Sequence, residues 1–199
     1  MTTQTNTDTT ASGITPLEPA EFTRIVEENQ KPVFNLCYRM LGDPNDAEDA
    51  AQETFWKAYK YYSRYDPNRS LLTWLLSIAA HHCIDQIRKR RMKTISIDLF
   101  ADELLPDSGL TPEKSSIESN EQNRLRGMLR ILTPDDRAAI VMRYWYDFTD
   151  EEIGNALHLS ISAVKSRLFR ARKQIALAWK KSQEESFGEP RRQHEPLSI

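Results

Sequence analysis

The stretch TDEEIGNALHLSISAVKSRLFRARK, Thr149–Lys173, decides how the C-terminal half of the chain folds. Thr149 and Glu152 have the spacing of a capping box, in which each side chain accepts a hydrogen bond from the backbone amide of the other residue. A helix is therefore predicted to begin at Asp150. The turn that follows ends at Ser160, which can cap a second helix. Two short helices joined by a tight turn predict a helix-turn-helix.

The second of these helices is amphipathic and strongly basic. Apolar residues recur at helical spacing on the face expected to pack inward: Val164, Leu168, Ala171 and Ile175. The outward face combines cations, hydroxyls and one aromatic ring: Ser162, Lys165, Ser166, Phe169, Arg170 and Lys173. Such side chains suit phosphate contacts and hydrogen bonds to base edges in a major groove. The pattern predicts a DNA-reading helix; the alternative is a basic solvated helix whose Phe169 packs on a neighbour.

Charge is segregated along the chain, although the formal net charge of the 199 residues is only -2. Residues 86–93 carry five cations and no acid, and residues 160–181 carry seven cations and no acid. Residues 94–121, between them, carry seven acids against Lys114 alone. Two basic patches separated by an acidic connector suggest two contacts with a polyanion.

The apolar pattern predicts an all-α protein of two small helical domains joined by a flexible acidic linker. Within the first domain, Pro32 is expected to kink or split a helix and Gly42 to end it. If extended, the linker could span up to roughly 90 Å. The predicted segments are a disordered tail at 1–17, a first helical domain at 18–93, the linker at 94–121, the helix-turn-helix domain at 122–181 and a second disordered tail at 182–199.

A second helix with a distinctive surface is predicted to start at Asp43–Asp46 and to continue through DAEDAAQETFWKAYKYY. Its inward stripe consists of Ala47, Ala51, Thr54, Phe55 and Ala58. Its opposite face is acidic and carries an indole; the residues are Asp46, Asp49, Gln52, Glu53 and Trp56. An aromatic ring within a charged face is typical of a protein-binding hot spot. The alternative is a solvated acidic helix whose Trp56 packs against a loop.

Four closely spaced tyrosines precede the turn Asp66–Ser70 and a helix that ends in a basic cluster. They are Tyr59, Tyr61, Tyr62 and Tyr65. Aromatic rings stack on unpaired bases, a loop can wall a pocket for a base, and cations hold the backbone. This combination favours single-strand binding, and the alternative is that the tyrosines are ordinary core and rim residues.

His81, His82 and Cys83 suggest a metal site, but adjacent residues on a helix point in different directions and no fourth ligand has a usual spacing. We therefore expect neither metal nor other cofactor and no catalytic residue, with a metal-dependent enzyme as one alternative class. Two cysteines, Cys37 and Cys83, are too few for a disulfide framework. Without a leader or a long apolar run, a cytoplasmic protein with no membrane span of its own is expected.

Four fragments in a fixed order carry a resemblance to a known family: DAEDAAQETFWKAY, YDPNRSLLTWLLSIAAHHCIDQIRKRR, LTPDDRAAIVMRYWYDFTDEEIGNAL and AVKSRLFRARKQI. From about Pro19 to Lys181 the chain resembles the extracytoplasmic-function (ECF) sigma factors of bacterial RNA polymerase. The resemblance implies a protein that binds core polymerase and directs promoter-specific initiation by recognising −35 duplex and melted −10 DNA. The alternative is a stand-alone helix-turn-helix regulator that binds duplex operators.

The resemblance also implies partners and site residues. Core polymerase would bind through the clamp helices of its largest subunit and the flap of its second-largest subunit, and an anti-sigma factor is a further expected partner. The clamp-binding residues would be Asp49, Gln52, Glu53 and Trp56. The −10 residues would be Tyr65, Asp66, Asn68, Arg69, Ser70, His81, Arg88, Arg90 and Arg91. The −35 residues would be Ser162, Lys165, Ser166, Phe169, Arg170 and Lys173.

Three places depart from the family's usual pattern. His81 stands where the family commonly has Asn, His158 stands where a turn glycine is usual, and Ser160–Ala163 replaces the common Pro-Val-Gly-Thr. Histidine tolerates a left-handed backbone better than most residues. The turn is therefore expected to survive, whereas base recognition is expected to differ.

Overall fold

The structure is a computed structural model that describes residues 18–98 and 117–187. No strand occurs within these ranges, and the predicted all-α class is confirmed. The predicted tail at 1–17 and the middle of the predicted linker lie outside the described residues. The α-helices are α1 (Pro19–Leu41), α2 (Pro44–Lys60), α3 (Leu71–Asp98), α4 (Ile117–Arg130), α5 (Pro134–Trp145), α6 (Asp150–Leu157) and α7 (Ile161–Phe187).

Several helix ends follow from local capping chemistry. The Asp43 carboxylate accepts from the Asp46 amide at 3.0 Å and begins α2. The Thr133 hydroxyl accepts from the Asp136 amide at 3.2 Å and begins α5. Gly42 ends α1 in the left-handed conformation, with φ of 79°. These starts and the stop at Gly42 confirm the boundaries expected from the sequence.

Pro32 does not split the first helix, contrary to one of the outcomes expected from the sequence. It lies inside α1, which is continuous from Pro19 to Leu41. The side chains of Val33 and Leu36, just after the proline, are fully buried in the core. Because tertiary packing overrides local propensity, these contacts hold the helix together across the residue that lacks an amide donor.

The helices also extend beyond the predicted domain limits. Residues 94–98 and 117–121, assigned to the linker, are helical, and so are residues 182–187, assigned to the disordered tail. The predicted limits followed changes in charge, whereas a helix continues until a breaker occurs.

Helices α1, α2 and α3 pack on one another as one unit, and α5, α6 and α7 pack together with α4 on α7 as a second unit. Leu36 and Leu75 are fully buried in the first unit, and Leu132, Met142 and Val164 are fully buried in the second. The inward stripes predicted for α2 and α7 are therefore confirmed as packing faces.

The two units pack against each other, with α1 and α3 in contact with α4, α5 and α6. We call this packing the closed arrangement. Arg137 of α5 donates to the Met40 carbonyl of α1, and the Tyr146 hydroxyl donates to the Pro32 carbonyl at 2.6 Å. Burial lowers the pKa of Arg137 to about 10 and raises the pKa of Tyr146 to about 12. The buried apolar residues of the two units also form one continuous core.

Candidate nucleic-acid and polymerase interfaces

The helix-turn-helix has the local geometry that its sequence predicts. The Glu152 carboxylate accepts from the Thr149 amide at 2.7 Å, and the Thr149 hydroxyl accepts from the Glu152 amide at 3.1 Å. His158 adopts the left-handed conformation at the end of α6, with φ of 55°. The Ser160 hydroxyl then accepts from the Ala163 amide at 3.2 Å. The capping box, the turn and the second cap are all confirmed.

Gly154 is a determinant of the turn that sequence reasoning missed. The Leu159 amide donates to the Gly154 carbonyl at 2.8 Å. A Cβ atom at position 154 would lie 2.7 Å from the Leu159 carbonyl oxygen, closer than such atoms approach in proteins. The turn therefore folds back over α6 only because residue 154 has no side chain. The signal in the sequence was a glycine inside an otherwise helical pattern.

The outward face of α7, which is predicted to contact DNA and which we call the reading face, is exposed as predicted. Phe169 is 66% exposed, which excludes the alternative in which it packs on a neighbour. Lys165 and Lys173 are exposed, and the Ser166 hydroxyl donates to the Ser162 carbonyl at 2.9 Å. The opposite face is buried through Val164, Leu168 and Ala171, with Ile175 packed against the core. The helix therefore presents hydroxyls, cations and one ring on a fixed support.

Arg170 differs from the other reading-face cations because a buried acid holds it. Asp136, at the start of α5, is 1% exposed. Its carboxylate oxygen Oδ1 accepts from Arg167 at 3.0 Å and from Arg170 at 3.1 Å. Sequence reasoning did not identify this pairing, because the two arginines lie 31 and 34 residues away from Asp136.

The loop before α3 is ordered by its own side chains. The Tyr65 hydroxyl donates to the Arg69 carbonyl at 2.6 Å, and the Asp66 carboxylate accepts from the Asn68 amide at 3.0 Å. The Ser70 hydroxyl accepts from the Thr73 amide at 3.4 Å. Partial burial raises the pKa of the Tyr65 hydroxyl. Five of the predicted −10 residues thus take part in the hydrogen bonds that order this loop.

This loop forms one wall of a cleft of about 270 Å³. The loop side comprises Asn68, Arg69, Ser70, Thr73, Trp74 and Ser77, and the α6 side comprises Glu152, Asn155 and Ala156. Tyr65 also packs near Trp74, with ring centroids 5.2 Å apart. The closed arrangement therefore places α6 directly opposite the predicted base-binding loop.

The basic end of α3 makes two ion pairs with other helices. Arg88 donates to both carboxylate oxygens of Asp135 on α5, at 3.0 and 2.9 Å. Arg90 donates to both carboxylate oxygens of Asp46 on α2, at 2.7 and 2.5 Å. Arg91 is exposed. One of the cations predicted for DNA binding is therefore paired across the closed arrangement.

The acidic face of α2 carries an exposed aromatic residue, as predicted. Trp56 is 57% exposed, and the Lys60 ammonium lies 4.9 Å from its ring centroid. Glu53 is half-buried and pairs with Lys57 at 3.6 Å, whereas Asp49 and Gln52 are exposed. The expected alternative, with Trp56 packed against a loop, does not describe this surface.

The comparisons with known proteins agree on one family. The family description Sigma-70 region 2 matches residues 25–92, and Sigma-70, region 4 matches residues 122–175. The ECF RNA polymerase sigma factor SigW of Bacillus subtilis (strain 168) is 33% identical over 163 residues, which cover 77% of this chain and 86% of SigW. The chain belongs to the ECF RNA polymerase sigma factors.

One further sequence relative and one solved structure are also similar to this chain. SigE of Mycolicibacterium smegmatis is 31% identical over 154 residues, which cover 76% of this chain and 58% of SigE. The fold also matches the sigma factor RpoE of Bartonella quintana, crystallised with the anti-sigma factor NepR. That match has a TM-score of 0.61 at 22% identity and covers 80% of this chain and 97% of RpoE.

Family membership decides between the function classes. The protein is a DNA-binding transcription initiation factor that acts with core RNA polymerase at promoters. The alternative of a stand-alone operator-binding regulator is not favoured, because the region 2 match covers the α1–α3 unit that such a regulator would not need. No helix within the described ranges is long and apolar enough to cross a membrane.

His81, His82 and Cys83, which suggested a metal site, point in different directions, as expected for adjacent residues on a helix. His81 Nδ1 lies 2.8 Å from the Ser77 carbonyl oxygen, and His82 Nδ1 lies 3.0 Å from the Lys57 ammonium on α2. Cys83 is buried as a free thiol. Burial is the main cause that lowers the pKa of His82. Within the described residues, no group of three or more His, Cys, Asp or Glu side chains is placed to hold a metal ion.

Proposed function

We propose that this sigma factor holds a promoter at two points, with the reading face of α7 on the −35 duplex and the loop and basic end of α3 on the melted −10 strand. The observation that carries the proposal is that α7 presents Phe169, which is 66% exposed, beside the exposed cations Lys165 and Lys173, on a surface separate from the ordered loop before α3. A ring left in water on a charged surface is typical of a recognition site.

At the −35 element, Lys165 and Lys173 supply phosphate contacts, and Ser162, Ser166 and Phe169 face the base edges. Phe169 offers an apolar surface that suits a thymine methyl group. Arg170 reaches the DNA from the Asp136 carboxylate, which holds its guanidinium at 3.1 Å. Its contact is therefore oriented by the protein rather than by the DNA alone.

At the −10 element, the ordered loop Tyr65–Ser70 forms a pocket wall for an unpaired base. Arg88, Arg90 and Arg91 follow on α3, where they neutralise the phosphates of the same strand. His81 lies one helical turn beyond Ser77, at the edge of this surface. The closed arrangement places α6 against the loop and Asp135 on Arg88. The two units therefore separate before the −10 strand binds.

Core polymerase binds at two surfaces in this proposal. The clamp helices of the largest subunit contact Asp49, Gln52, Glu53 and Trp56 on α2. The flap of the second-largest subunit enters an apolar groove of about 530 Å³ between α4, α5 and α7. Leu125, Tyr144 and Trp179 line that groove and are 41%, 55% and 46% exposed. Large apolar side chains that lie exposed together are typical of a protein-binding surface.

The remaining assignments follow from the family. The protein has no reaction of its own, acts in the cytoplasm on nucleoid DNA, and is held by an anti-sigma factor until it is released. The similar sigma factor RpoE was crystallised in complex with an anti-sigma factor. A factor that covers the α2 face or the apolar groove would prevent polymerase binding.

The test is transcription with purified components. The full chain is mixed with core polymerase, and the complex is isolated by gel filtration and supplied with genomic DNA. We expect co-elution and discrete promoter-initiated transcripts, whose alignment gives the −35 and −10 sequences. Core polymerase alone is the control. Tight binding to a duplex operator without polymerase association would overturn the proposal in favour of a stand-alone regulator.

A further inference from the structure

Two histidines from different units meet in the closed arrangement. His81 lies on α3, and His158 lies in the turn of the helix-turn-helix, 77 residues further along the chain. Their ring centroids are 5.1 Å apart, and the ring planes are inclined by 35°. His81 is half-buried and His158 is exposed, so solvent reaches the pair. Neither the proposed −35 contact nor the proposed −10 contact uses this juxtaposition.

The hydrogen bond of His81 defines which of its ring nitrogens is available. His81 Nδ1 lies 2.8 Å from the Ser77 carbonyl oxygen, and a carbonyl oxygen can only accept. Nδ1 of the neutral ring therefore carries the proton, and Nε2 carries the lone pair. A histidine that donates one ring N–H to a backbone carbonyl and keeps the other nitrogen bare has the arrangement found in metal-ligating histidines.

His158 is also held in a fixed position. Its backbone is left-handed, with φ of 55°, and its amide donates to the Gly154 carbonyl. A non-glycine residue in this conformation is uncommon, and its cost is often associated with a functional role. Within the described residues, no hydrogen bond occupies either nitrogen of the His158 ring. The ring is thus presented beside His81 by a turn that Gly154 and Leu159 hold closed.

We propose that His81 and His158 together bind one divalent transition-metal ion of the zinc class and that the ion fastens the closed arrangement. A tetrahedral ion held by two imidazole nitrogens at about 2.0–2.1 Å places the ring centroids on the order of 5 Å apart. The observed separation between the ring centroids, 5.1 Å, is of this order. Imidazole is a preferred ligand of Zn²⁺ and Ni²⁺.

Water completes the coordination, since within the described ranges no third His, Cys, Asp or Glu joins the pair. Two protein ligands give a reversible site rather than a structural zinc centre, which takes four. A ligand that binds only one arrangement stabilises it by RT ln(1 + [L]/Kd). The ion therefore favours the closed arrangement, in which α6 faces the −10 loop. The site itself depends only on the closed arrangement and not on the proposed promoter contacts.

The experiment is a Zn²⁺ titration of the full chain after chelator treatment, followed by calorimetry. The variants are His81→Asn and His158→Asn, because an amide is a poor zinc ligand and Asn tolerates the left-handed conformation. The matched controls are His82→Asn and His194→Asn, which remove the two other histidines. We expect one equivalent to bind the wild-type protein and both controls. Binding to either test variant should be weaker by about tenfold or more.

Nitrogen-detected NMR of the histidine rings supplies a readout that identifies both ligands. One equivalent of Zn²⁺ should shift the ring nitrogens of His81 and His158 together, and His82 should not move. The proposal is overturned if the wild-type protein binds no Zn²⁺ at millimolar concentration, if the test variants bind as the wild type does, or if only one of the two rings shifts. Failure of this test leaves promoter-directed transcription, measured without added metal, unaffected.

Discussion

The carboxylate of Asp136, buried at the start of α5, accepts a hydrogen bond from Arg170 on the exposed face of α7 at 3.1 Å. The same oxygen accepts from Arg167 at 3.0 Å. One buried charge thus fixes two cations of the reading helix relative to α5. Because buried charges are tolerated only when they are paired, Asp136 and its two arginines must act as a unit.

Replacing this carboxylate should destabilise the helix-turn-helix unit. Asp136→Asn keeps the shape of the side chain but leaves the Arg167 guanidinium without a charged partner. We expect the free energy of unfolding to fall by about 1–3 kcal/mol. Urea unfolding followed by circular dichroism measures the change. Promoter DNA should also be bound with less discrimination at −35, since Arg170 is no longer oriented.

Asp135→Asn is the matched control for Asp136. Asp135 is adjacent in sequence and also pairs with an arginine, but its partner Arg88 is 55% exposed. Ion pairs with this exposure contribute under about 1 kcal/mol. Equal losses of stability in the two variants would show that the buried position of Asp136 has no special role.

The turn of the helix-turn-helix depends on Gly154 having no side chain. In Gly154→Ala, the new methyl group would lie 2.7 Å from the Leu159 carbonyl oxygen, which is backbone and cannot move aside cheaply. We expect the free energy of unfolding to fall by about 1–3 kcal/mol. Thermal or urea unfolding of the purified variant gives the value.

Gly127→Ala provides the comparison, because nothing lies within 4 Å of a Cβ at that position in α4. Alanine is a better helix former than glycine by up to about 1 kcal/mol. This variant should therefore be as stable as the wild type or more stable. A Gly154→Ala protein of wild-type stability would mean that the turn relaxes without cost.

The parts of the fold that were predictable depend on neighbouring residues. The capping box of Thr149 and Glu152, the stop at Gly42 and the apolar stripe of α7 are encoded within a few residues, and each is observed. The exposed rings of Trp56 and Phe169 followed from helical periodicity in the same way. Local chemistry thus accounts for the helices and for the surfaces they expose.

The parts that were not predictable depend on residues far apart in the chain. Periodicity shows that a face is buried but does not name what covers it. The hydrogen bond from Arg137 to the Met40 carbonyl joins residues 97 positions apart, and the contact of His81 with His158 is equally non-local. The closed arrangement was therefore not predicted from the sequence, which indicated two domains joined by a flexible linker.

The exposed aromatic rings on α2 and α7 should have separable functions. Trp56→Ala is expected to weaken co-elution with core polymerase by about tenfold or more, as for a hot-spot residue. Binding to a −35 duplex should be unchanged. Phe169→Ala should give the opposite result, with normal co-elution and weaker −35 binding. Both rings are more than half exposed, so neither change should destabilise the fold.

Gel filtration with core polymerase and fluorescence anisotropy with a −35 duplex measure the two properties separately. Lys60→Ala is a further control on α2, because it removes the cation beside the indole and leaves the ring. If Trp56→Ala and Phe169→Ala change the same property, the assignment of one ring to polymerase and the other to DNA is wrong.

The ion pair of Asp46 with Arg90 predicts how stability depends on pH. The hydrogen bonds from Arg90 lower the pKa of the Asp46 carboxyl below its ordinary value, and partial burial opposes this effect. The folded state therefore favours the carboxylate more than the unfolded state does. The contribution is complete above the ordinary carboxyl pKa of about 4 and is lost as the pH falls through the lowered folded pKa.

The comparison is between wild-type protein and Asp46→Asn, unfolded with urea from about pH 6 down to about pH 3. The difference between their free energies of unfolding should be under about 1 kcal/mol, because Arg90 is half exposed, and it should shrink as the pH falls. Asp49→Asn, on the exposed face of the same helix, should show no such convergence. Asp46→Asn should also bind single-stranded −10 DNA more tightly, since Arg90 is released from its acid. Parallel stability curves for wild type and Asp46→Asn would contradict a contribution of this ion pair to folding, and unchanged DNA binding would remove Arg90 from the −10 surface.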